Sequence, residues 1–302
     1  MVAIKKMLIP VDFSGTGIKV LDQAILMAEK TNAEITLITV LEGPFSYMGP
    51  DDIRKSVYKN QKYEKQIFDE ADRNMKELQE KLIKAGVSKV NYLIKAGGTP
   101  YKKILLMAKQ TKADIILMGT HGVSGFREFA MGSNTFKVVS EAHCPVLSIQ
   151  KHTKKTGFKS ILLPFRDKPH SREKVDYAIS IAKIYGATLH ILGVSYDPAS
   201  AKVKKIPLEA QQIKRIAEKQ GVNCTEEVVH GNYLANLIFE HAKRVNADLL
   251  VVMSDLDKMN ISEYIIGPVI QQIVNHSKIP VLTIHPIINP EMFNNNEVDW
   301  AF

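Results

Sequence analysis

The amino-acid sequence predicts an α/β protein with two tandem, open-twisted, five-stranded parallel sheets and helices on both faces of each sheet. Short apolar runs of strand length alternate with stretches whose apolar residues recur at helical spacing, which is typical of a parallel sheet covered by helices. An internal repeat is also present, because residues 5–11 (KKMLIPV) resemble residues 159–165 (KSILLPF). A hydrophobic content of 45% over 302 residues is enough for two packed cores. We therefore expect one fold, built twice.

The repeat sets the domain organisation. The two copies align at a constant offset of 154 residues through their first halves, as when Ala24 meets Ala178. We place the first unit at residues 1–152 and the second at residues 157–286, with a polar joint between them. A tail at residues 287–302 follows, for which the sequence predicts no fold but which is long enough to dock on a neighbour.

Each element of the first copy has its own signal. Strands are expected where β-branched and other apolar residues cluster, and helices where apolar residues repeat every three or four positions. Thr99 followed by Pro100 predicts a helix start, since proline is tolerated at the first helical position. The expected strands are residues 7–11, 34–40, 90–94, 115–118 and 146–149, and the expected helices are residues 18–28, 51–85, 100–108 and 133–142.

Three loops of the first copy should meet at the carboxyl edge of its sheet. In open α/β sheets, ligands bind beyond the carboxyl ends of the strands, where the strand order reverses. Asp12 follows the first strand, and its carboxylate suits a ribose hydroxyl, a donor on the adenine edge, or a metal ion. Backbone groups of Val11 and Val40 could bond the edge of a base while their side chains sandwich it.

The third loop has the composition of a phosphate cradle. Gly119 ends a buried strand, Gly122 follows, and Gly132 precedes Ser133 at the start of a helical pattern. Backbone N–H groups at a helix start point outward, and the helix dipole favours an anion there. Glycine allows close approach of a ligand, and serine is a natural N-cap. An ordinary βα loop is the alternative explanation. His121 lies in the same loop, within reach of a phosphate.

Composition argues against several other classes of protein. The net charge of +8 is spread over helical patterns, mostly as lysines with acids between them, which indicates solvated faces rather than a nucleic-acid site. Cys144 and Cys224 lack a metal-ligand spacing and fit a reducing compartment. No apolar run approaches membrane-spanning length, and the N-terminal run is too short for a signal peptide. We expect a cytoplasmic protein without nucleic-acid or membrane partners.

Taken together, these motifs resemble the universal stress protein family in its tandem form. The family signature of glycine, two residues, glycine, nine residues and glycine-serine corresponds to Gly119, Gly122, Gly132 and Ser133, and the opening PVDxS to residues 10–14. Residues 143–146 (HCPV) also match. The resemblance implies a Rossmann-like fold of the adenine-nucleotide alpha hydrolase type. It also implies ATP in the first copy, with adenine near Val11 and Val40, ribose near Asp12, and phosphates on the glycine-rich segment.

The nucleotide site predicted on this basis has thirteen residues, with Asp12 also the candidate for holding magnesium of Mg-ATP. They are Pro10, Val11, Asp12, Ser14, Val40, Met118, Gly119, His121, Gly122, Gly132, Ser133, Asn134 and Thr135. One departure from the family is Val123, where many relatives have arginine; Arg127 and Lys137 are the nearby cations that could substitute.

The second copy carries different residues at the equivalent positions. Gly119 corresponds to Ser254, and Asp12 to Arg166. Gly122 and Ser133 correspond to Asp257 and Pro268. A carboxylate where a phosphate would lie repels it, and proline removes an N–H from the helix start. We expect that this unit does not bind ATP in the same way as the first. Its site is empty, structural or adapted to another ligand. Arg166 could pair with Asp257 and fill the site from within.

These features predict a nucleotide-dependent sensor or switch in the stress response, with ATP or ADP as its ligand. No Walker-type Lys-Ser/Thr pair and no Ser-His-Asp arrangement is readable, so no catalytic residue is assigned. Two alternatives stay open: a slow ATPase or phosphoryl- or nucleotidyl-transfer enzyme of related fold, and a scaffold whose sites are both empty.

The final strands predict the assembly. Single-copy members of the resembled family pair as dimers through their last strands. We therefore expect Val146–Ile149 to pair with Val281–Ile284 across a pseudo-two-fold axis, so that one chain forms a pseudo-dimer. Homodimerisation and protein partners beyond this are left open.

Overall fold

The structure is a computed structural model, and it describes most of the two units. It describes residues 2–13, 15–41, 50–120, 131–150, 153, 157–166, 173–196, 205–254, 256–260, 263–266 and 268–285. For residues 15–16, 50–64, 173, 256–260, 263–266 and 268, only the backbone is described. The tail at residues 287–302 lies outside this set, so its docking stays a prediction.

The first unit alternates five strands with four helices, as its apolar periodicity predicts. The elements are β1 (Lys6–Pro10), α1 (Gly15–Thr31), β2 (Glu34–Leu41), α2 (Pro50–Lys84), β3 (Val90–Ala96), α3 (Pro100–Thr111), β4 (Ile115–Gly119), α4 (Ser133–Glu141) and β5 (Val146–Ile149). Pro100 occupies the start of α3 with Thr99 at the N-cap, although the threonine side chain makes no capping bond.

The second unit repeats this order and adds a strand pair before its last helix. Its elements are β6 (Ser160–Phe165), α5 (Glu173–Tyr185), β7 (Thr188–Ser195), α6 (Ile206–Lys219), β8 (Cys224–His230), α7 (Leu234–Arg244), β9 (Leu249–Met253), β10 (Leu256–Asn260), β11 (Glu263–Ile266), α8 (Pro268–His276) and β12 (Val281–Ile284). Strands β10 and β11 pair with each other antiparallel, between β9 and α8. The first unit has its glycine-bearing segment at this place in the chain.

The two units share one continuous sheet. Its ten strands lie in the order β3-β2-β1-β4-β5-β12-β9-β6-β7-β8. Pairing is parallel within each half and antiparallel between β5 and β12, where Leu147 lies opposite Leu282. The two final strands thus pair with each other. In each half the strand order reverses once, between β1 and β4 and between β6 and β9.

Helices cover both faces of the sheet, which confirms the predicted class. Side chains alternate along each strand, so Met7 and Ile9 pack into one apolar core while Leu8 packs into the other. The first core contains buried residues of α1, α2, α5 and α6, and the second contains those of α3, α4, α7 and α8. Each core runs across both units, because the sheet between them is continuous.

A repeated aspartate ties the start of β4 to β1 and the start of β9 to β6. Asp114 accepts the backbone N–H groups of Lys5 and Lys6 at 2.7 and 2.8 Å. Asp248 accepts those of Lys159 and Ser160 at 2.9 and 3.1 Å. A carboxylate that accepts two N–H groups at the amino edge of the sheet is a structural element. Its recurrence in both copies therefore reports the shared fold rather than a shared ligand.

Candidate functional site

The carboxyl ends of β1, β2 and β4 lie side by side, because β1 pairs with both of the others. The Val11 N–H donates to the Ile38 carbonyl at 2.8 Å and extends the β1–β2 pairing by one residue. Val11 is buried, Pro10 and Val40 are half-buried, and Asp12 is exposed. This arrangement gives an apolar floor with a carboxylate at its edge.

The chain turns sharply directly after Asp12. Phe13 has a φ of 56°, a left-handed conformation that costs free energy for a residue with a side chain. β1 ends at Pro10 and α1 begins at Gly15, so four residues connect the strand to the helix. The Phe13 side chain is 42% exposed, so an aromatic ring stands at the rim of this edge of the sheet.

The start of α4 is tied to the end of β4 by two hydrogen bonds, and a third joins the end of β4 to β5. The Thr120 N–H donates to the Ile149 carbonyl at 3.0 Å, and the Gly132 N–H donates to the Thr120 carbonyl at 2.8 Å. The Thr135 hydroxyl donates to the Gly119 carbonyl at 2.9 Å. The two ends of the glycine-bearing segment therefore lie together, next to Met118, which is buried.

The prediction that Ser133 is the N-cap is wrong. Gly132 occupies that position, with φ −57° and ψ 145°, and its carbonyl accepts the first intrahelical bond from the Phe136 N–H. Ser133 is the first helical residue and its side chain is exposed. The N–H groups of Ser133, Asn134 and Thr135 therefore belong to the first turn, where no carbonyl of the same helix can reach them.

Glycine at position 132 is not required by the conformation of the chain. Its φ is negative, and a Cβ built there would lie 3.6 Å from the Thr120 carbonyl oxygen, an ordinary van der Waals contact. Backbone strain and packing would both tolerate alanine. What the glycine adds is open space beside the first turn of α4, which allows close approach to the backbone.

Several predicted site residues lie outside the described part of the chain, namely Ser14, His121 and Gly122, together with Val123 and Arg127. Lys137, the other cation considered for the phosphates, forms an ion pair with Glu141 of the same helix at 3.7 Å. Among the described predicted residues, the structure brings together Pro10, Val11, Asp12, Val40, Met118, Gly119, Gly132, Ser133, Asn134 and Thr135 at one edge of the sheet.

The equivalent edge of the second unit has a different character. The Arg166 guanidinium lies over the Tyr196 ring at 5.1 Å, and the Lys174 ammonium donates to the Pro164 carbonyl at 2.6 Å. The Asp257 side chain lies outside the description, so its pairing with Arg166 stays a prediction. Sequence analysis missed Lys174. The sequence could have indicated this residue, because the repeat aligns Lys174 with an apolar residue, Val20.

The cysteines and the remaining titratable groups do not form a second reactive centre within the described residues. Burial raises the pKa of Cys144 to about 12, and burial raises that of Cys224 to about 11, so both thiols stay protonated. No group of three His, Cys, Asp or Glu residues in the described ranges is arranged to hold a metal ion. None of the described helices is long and apolar enough to cross a membrane.

The chain belongs to the universal stress protein family. The family model matches residues 3–150 and again residues 157–285. The universal stress protein MJ0531 of Methanocaldococcus jannaschii is 32% identical over 151 residues, which cover 50% of this chain and 84% of that protein. The universal stress protein YxiE of Bacillus subtilis is 30% identical over 149 residues, covering 48% of this chain and 98% of the relative.

A full-length likeness is seen among solved structures. The crystal structure of a universal stress protein from Archaeoglobus fulgidus superimposes with a TM-score of 0.74 at 20% identity, covering 93% of this chain and 98% of that one. A second, from Pseudomonas aeruginosa, gives a TM-score of 0.63 at 17% identity, with 94% of each chain covered. At these identities the likeness establishes the fold.

Proposed function

We propose that the first unit binds ATP at the carboxyl edge of β1, β2 and β4, and that the chain acts as a nucleotide-dependent switch in the stress response. The observation that supports this most directly is the N-terminus of α4. Its N-cap is a glycine that the chain itself does not require, and its first turn faces the end of the strand where the sheet order reverses.

The residues present fit the parts of the nucleotide. The N–H groups of Ser133, Asn134 and Thr135, with the dipole of α4, suit the phosphates. The exposed Asp12 carboxylate suits the ribose hydroxyls, and Val11 and Val40 suit the two faces of adenine. Magnesium, which proteins commonly hold through one or two carboxylates plus substrate phosphates, would be shared between the nucleotide and Asp12.

A binding role is more consistent with these groups than a dedicated catalytic one. Among the described residues at this edge, Asp12 supplies the carboxylate. The Lys137 ammonium forms its ion pair with Glu141 of the same helix. Occupancy of the site would alter the α4 position or the surface around it. We further propose that the chain is cytoplasmic and that the β5–β12 junction reproduces the pairing of two single-unit relatives within one chain.

Nucleotide content tests the proposal. The protein is purified without harsh washes and denatured, and the released small molecules are measured by mass spectrometry. ATP or ADP at close to one molecule per chain supports the proposal. The absence of bound nucleotide together with no heat of binding on titration with Mg-ATP would refute it.

A pair of acid variants separates ligand contact from general electrostatics. Asp12→Ala should weaken ATP binding about tenfold, the size expected for loss of one charge-assisted hydrogen bond. Asp22→Ala, in the middle of α1, removes the same charge and should leave binding unchanged. Multiple-turnover phosphate release that Asp12→Ala abolishes would favour the slow ATPase over the switch.

A further inference from the structure

We propose that the outer strand of the first unit, β3, is an interface at which a second copy of this chain adds its own β3 in antiparallel orientation. The sheet of ten strands ends at β3 on one side and at β8 on the other. An outer strand has one row of backbone N–H and C=O groups without a strand partner, so it can pair with a strand of another chain. The interface does not involve the residues of the proposed ATP site.

Alternate residues of β3 turn their backbone groups away from the sheet. The Gly97 N–H donates to the Leu41 carbonyl of β2 at 3.1 Å, so the odd-numbered residues of β3 face β2. The N–H and C=O groups of Tyr92 and Ile94 therefore face outward. Within the described ranges, no backbone group bonds to them. They are the groups that a further strand would use.

The side chains of this outer strand are apolar and incompletely covered. Tyr92, Leu93 and Ile94 are consecutive, and each is only half-buried. Helix α3 packs on β1 and β2, which leaves part of β3 open on that face of the sheet, where Asn91 is exposed. A flat apolar outer strand of this kind favours association with another strand.

Exposed apolar side chains also lie on both flanking helices. The Asp72 carboxylate of α2 accepts the Tyr92 hydroxyl at 2.8 Å, and Phe68, one helical turn away, is 47% exposed. On the other face, Leu106 of α3 is equally exposed. Its equivalent in the second unit, Glu240, lines an open groove between α7 and the outer strand β8. The first unit thus has apolar residues on each side of its outer strand.

The opposite end of the sheet carries charges at the same positions. The repeat aligns Tyr92 with Glu226 and Leu93 with Glu227. Glu227 forms an ion pair with Arg244. Charged side chains on an outer strand are a common way to prevent pairing with another chain. Two β8 strands paired about their middle residue would also place Glu227 opposite its own copy, which is destabilising. We therefore assign the interface to β3 and not to β8.

Two β3 strands are complementary to each other when Leu93 lies on the two-fold axis. All seven residues of the strand then pair, and Tyr92 lies opposite Ile94 of the second copy, with the outward backbone groups of both facing each other. A cross-strand pair of an aromatic and a β-branched residue is favourable. Lys95 lies opposite Asn91, and the two copies of Lys95 are about 14 Å apart, beyond the screening length at physiological salt.

Sedimentation velocity over a range of protein concentrations tests the interface in the intact chain. We expect a monomer–dimer equilibrium without larger species. Leu93→Glu introduces the residue that the second unit has at this position, and it should weaken dimerisation about tenfold because two carboxylates would face each other. Leu208→Glu changes a leucine of α6 that is 61% exposed at the other end of the sheet, and it should leave dimerisation unchanged.

Cysteine cross-linking tests the register. Leu93 faces its own copy in a non-hydrogen-bonded pair, in which the Cα atoms are about 4.5 Å apart, within the range of a disulfide. Leu93→Cys should therefore form a disulfide-linked dimer with oxidised glutathione. Glu227→Cys, at the equivalent position of β8, should not. The parent chain, which contains Cys144 and Cys224, gives the background.

Four outcomes would each overturn the proposal. They are a monomer at every concentration, assembly into open-ended fibres, a dimer that Leu93→Glu leaves intact, and no cross-link above background through Leu93→Cys. A dimer formed through the tail at residues 287–302 would give the third and fourth of these. Because Leu93 is half-buried, circular dichroism establishes that Leu93→Glu is folded, and the cysteine variant decides if it is not.

Discussion

The two units share an architecture and differ at the ends of their strands. Strand order, helix placement and the structural aspartates Asp114 and Asp248 recur in both. At the carboxyl edge, Asp12 is replaced by Arg166 and Gly119 by Ser254. The buried apolar pattern therefore determines the fold, whereas a few positions at the strand ends determine what that fold can bind.

The segment before the last helix differs as well. In the second unit it contains the β10–β11 pair, while the first unit has a glycine-bearing sequence there. Two antiparallel strands satisfy their own backbone groups, so fewer of them face a ligand. This difference and the strand-end replacements can be changed separately, which gives an ordered set of tests.

Transplanting the first unit's segment should have the largest effect. Replacing residues 254–267 with the sequence of residues 119–132, together with Pro268→Ser and Arg166→Asp, should raise the ATP content from about one to about two per chain, because it restores the helix start and the acid together. Calorimetric titration with Mg-ATP gives the stoichiometry.

Point changes in the existing segment are the control for that graft. Ser254→Gly and Asp257→Gly, combined with Pro268→Ser and Arg166→Asp, should give a smaller gain in ATP content per chain, because the β10–β11 pair is retained. A grafted chain that folds and still binds one ATP would show that the segment is not what separates the two units.

A methyl group at position 132 should have the next largest effect. Gly132→Ala should weaken ATP binding at least tenfold by filling the space beside α4, while stability changes by less than about 1 kcal/mol, since φ is negative there and an added Cβ makes only an ordinary van der Waals contact. Titration and thermal unfolding measure the two quantities. Ser254→Ala, in the other unit, should leave ATP affinity unchanged; unaltered binding by Gly132→Ala would contradict a phosphate at α4.

Two variants at the β5–β12 junction, one in each strand, should have smaller and opposite effects on stability. The Ser148 hydroxyl donates to the Val281 carbonyl at 3.1 Å, whereas the Thr283 hydroxyl, fully buried in the other strand, has no partner among the described residues. Thr283→Val should therefore stabilise the chain by about 1 kcal/mol, and Ser148→Ala should destabilise it by a similar amount. Denaturant unfolding measures both; the same sign for the two would refute the assignment.

The smallest expected effect is a change in pH dependence. Burial lowers the pKa of His285, and nearby His143 acts in the same direction, against the Val139 carbonyl that accepts the His285 Nε2–H at 2.7 Å. The folded chain thus favours the neutral ring, so stability should fall as the pH drops below the ordinary histidine pKa of about 6.5.

The equivalent position in the first unit provides the variant for this test. Gln150 follows β5 as His285 follows β12, and it does not titrate. His285→Gln should lose less stability than the parent chain between about pH 7.5 and pH 5.5, as followed by melting temperature. Equal losses would assign the pH dependence to the other histidines.

Periodicity made most of the fold predictable, because the spacing of apolar residues in a buried strand such as β4 or an amphipathic helix such as α1 reflects which of its side chains are buried. The β10–β11 pair was missed because the repeat aligned its residues with a glycine segment, and alignment carries no information on backbone conformation. Lys174 was missed for a different reason. A lysine in a helix is usually solvated, and its burial depends on elements far away in the sequence.

The candidate site was predictable in its parts and less so in its details. Glycine spacing and the strand-end acid indicated the edge at which Asp12 and Gly132 lie together. The N-cap was misassigned to Ser133 because serine has the stronger statistical preference, whereas in the structure Gly132 is the N-cap and its N–H donates to the Thr120 carbonyl.

The antiparallel pairing of β5 with β12 has a consequence for how such a chain can change over time. When two identical subunits meet through their last strands, every substitution appears on both sides of the axis at once. Here the two strands belong to one polypeptide, so each side mutates alone, and their association does not depend on protein concentration. Divergence of one edge of the sheet, as at Arg166 and Ser254, is therefore open to this chain and closed to a pair of identical subunits.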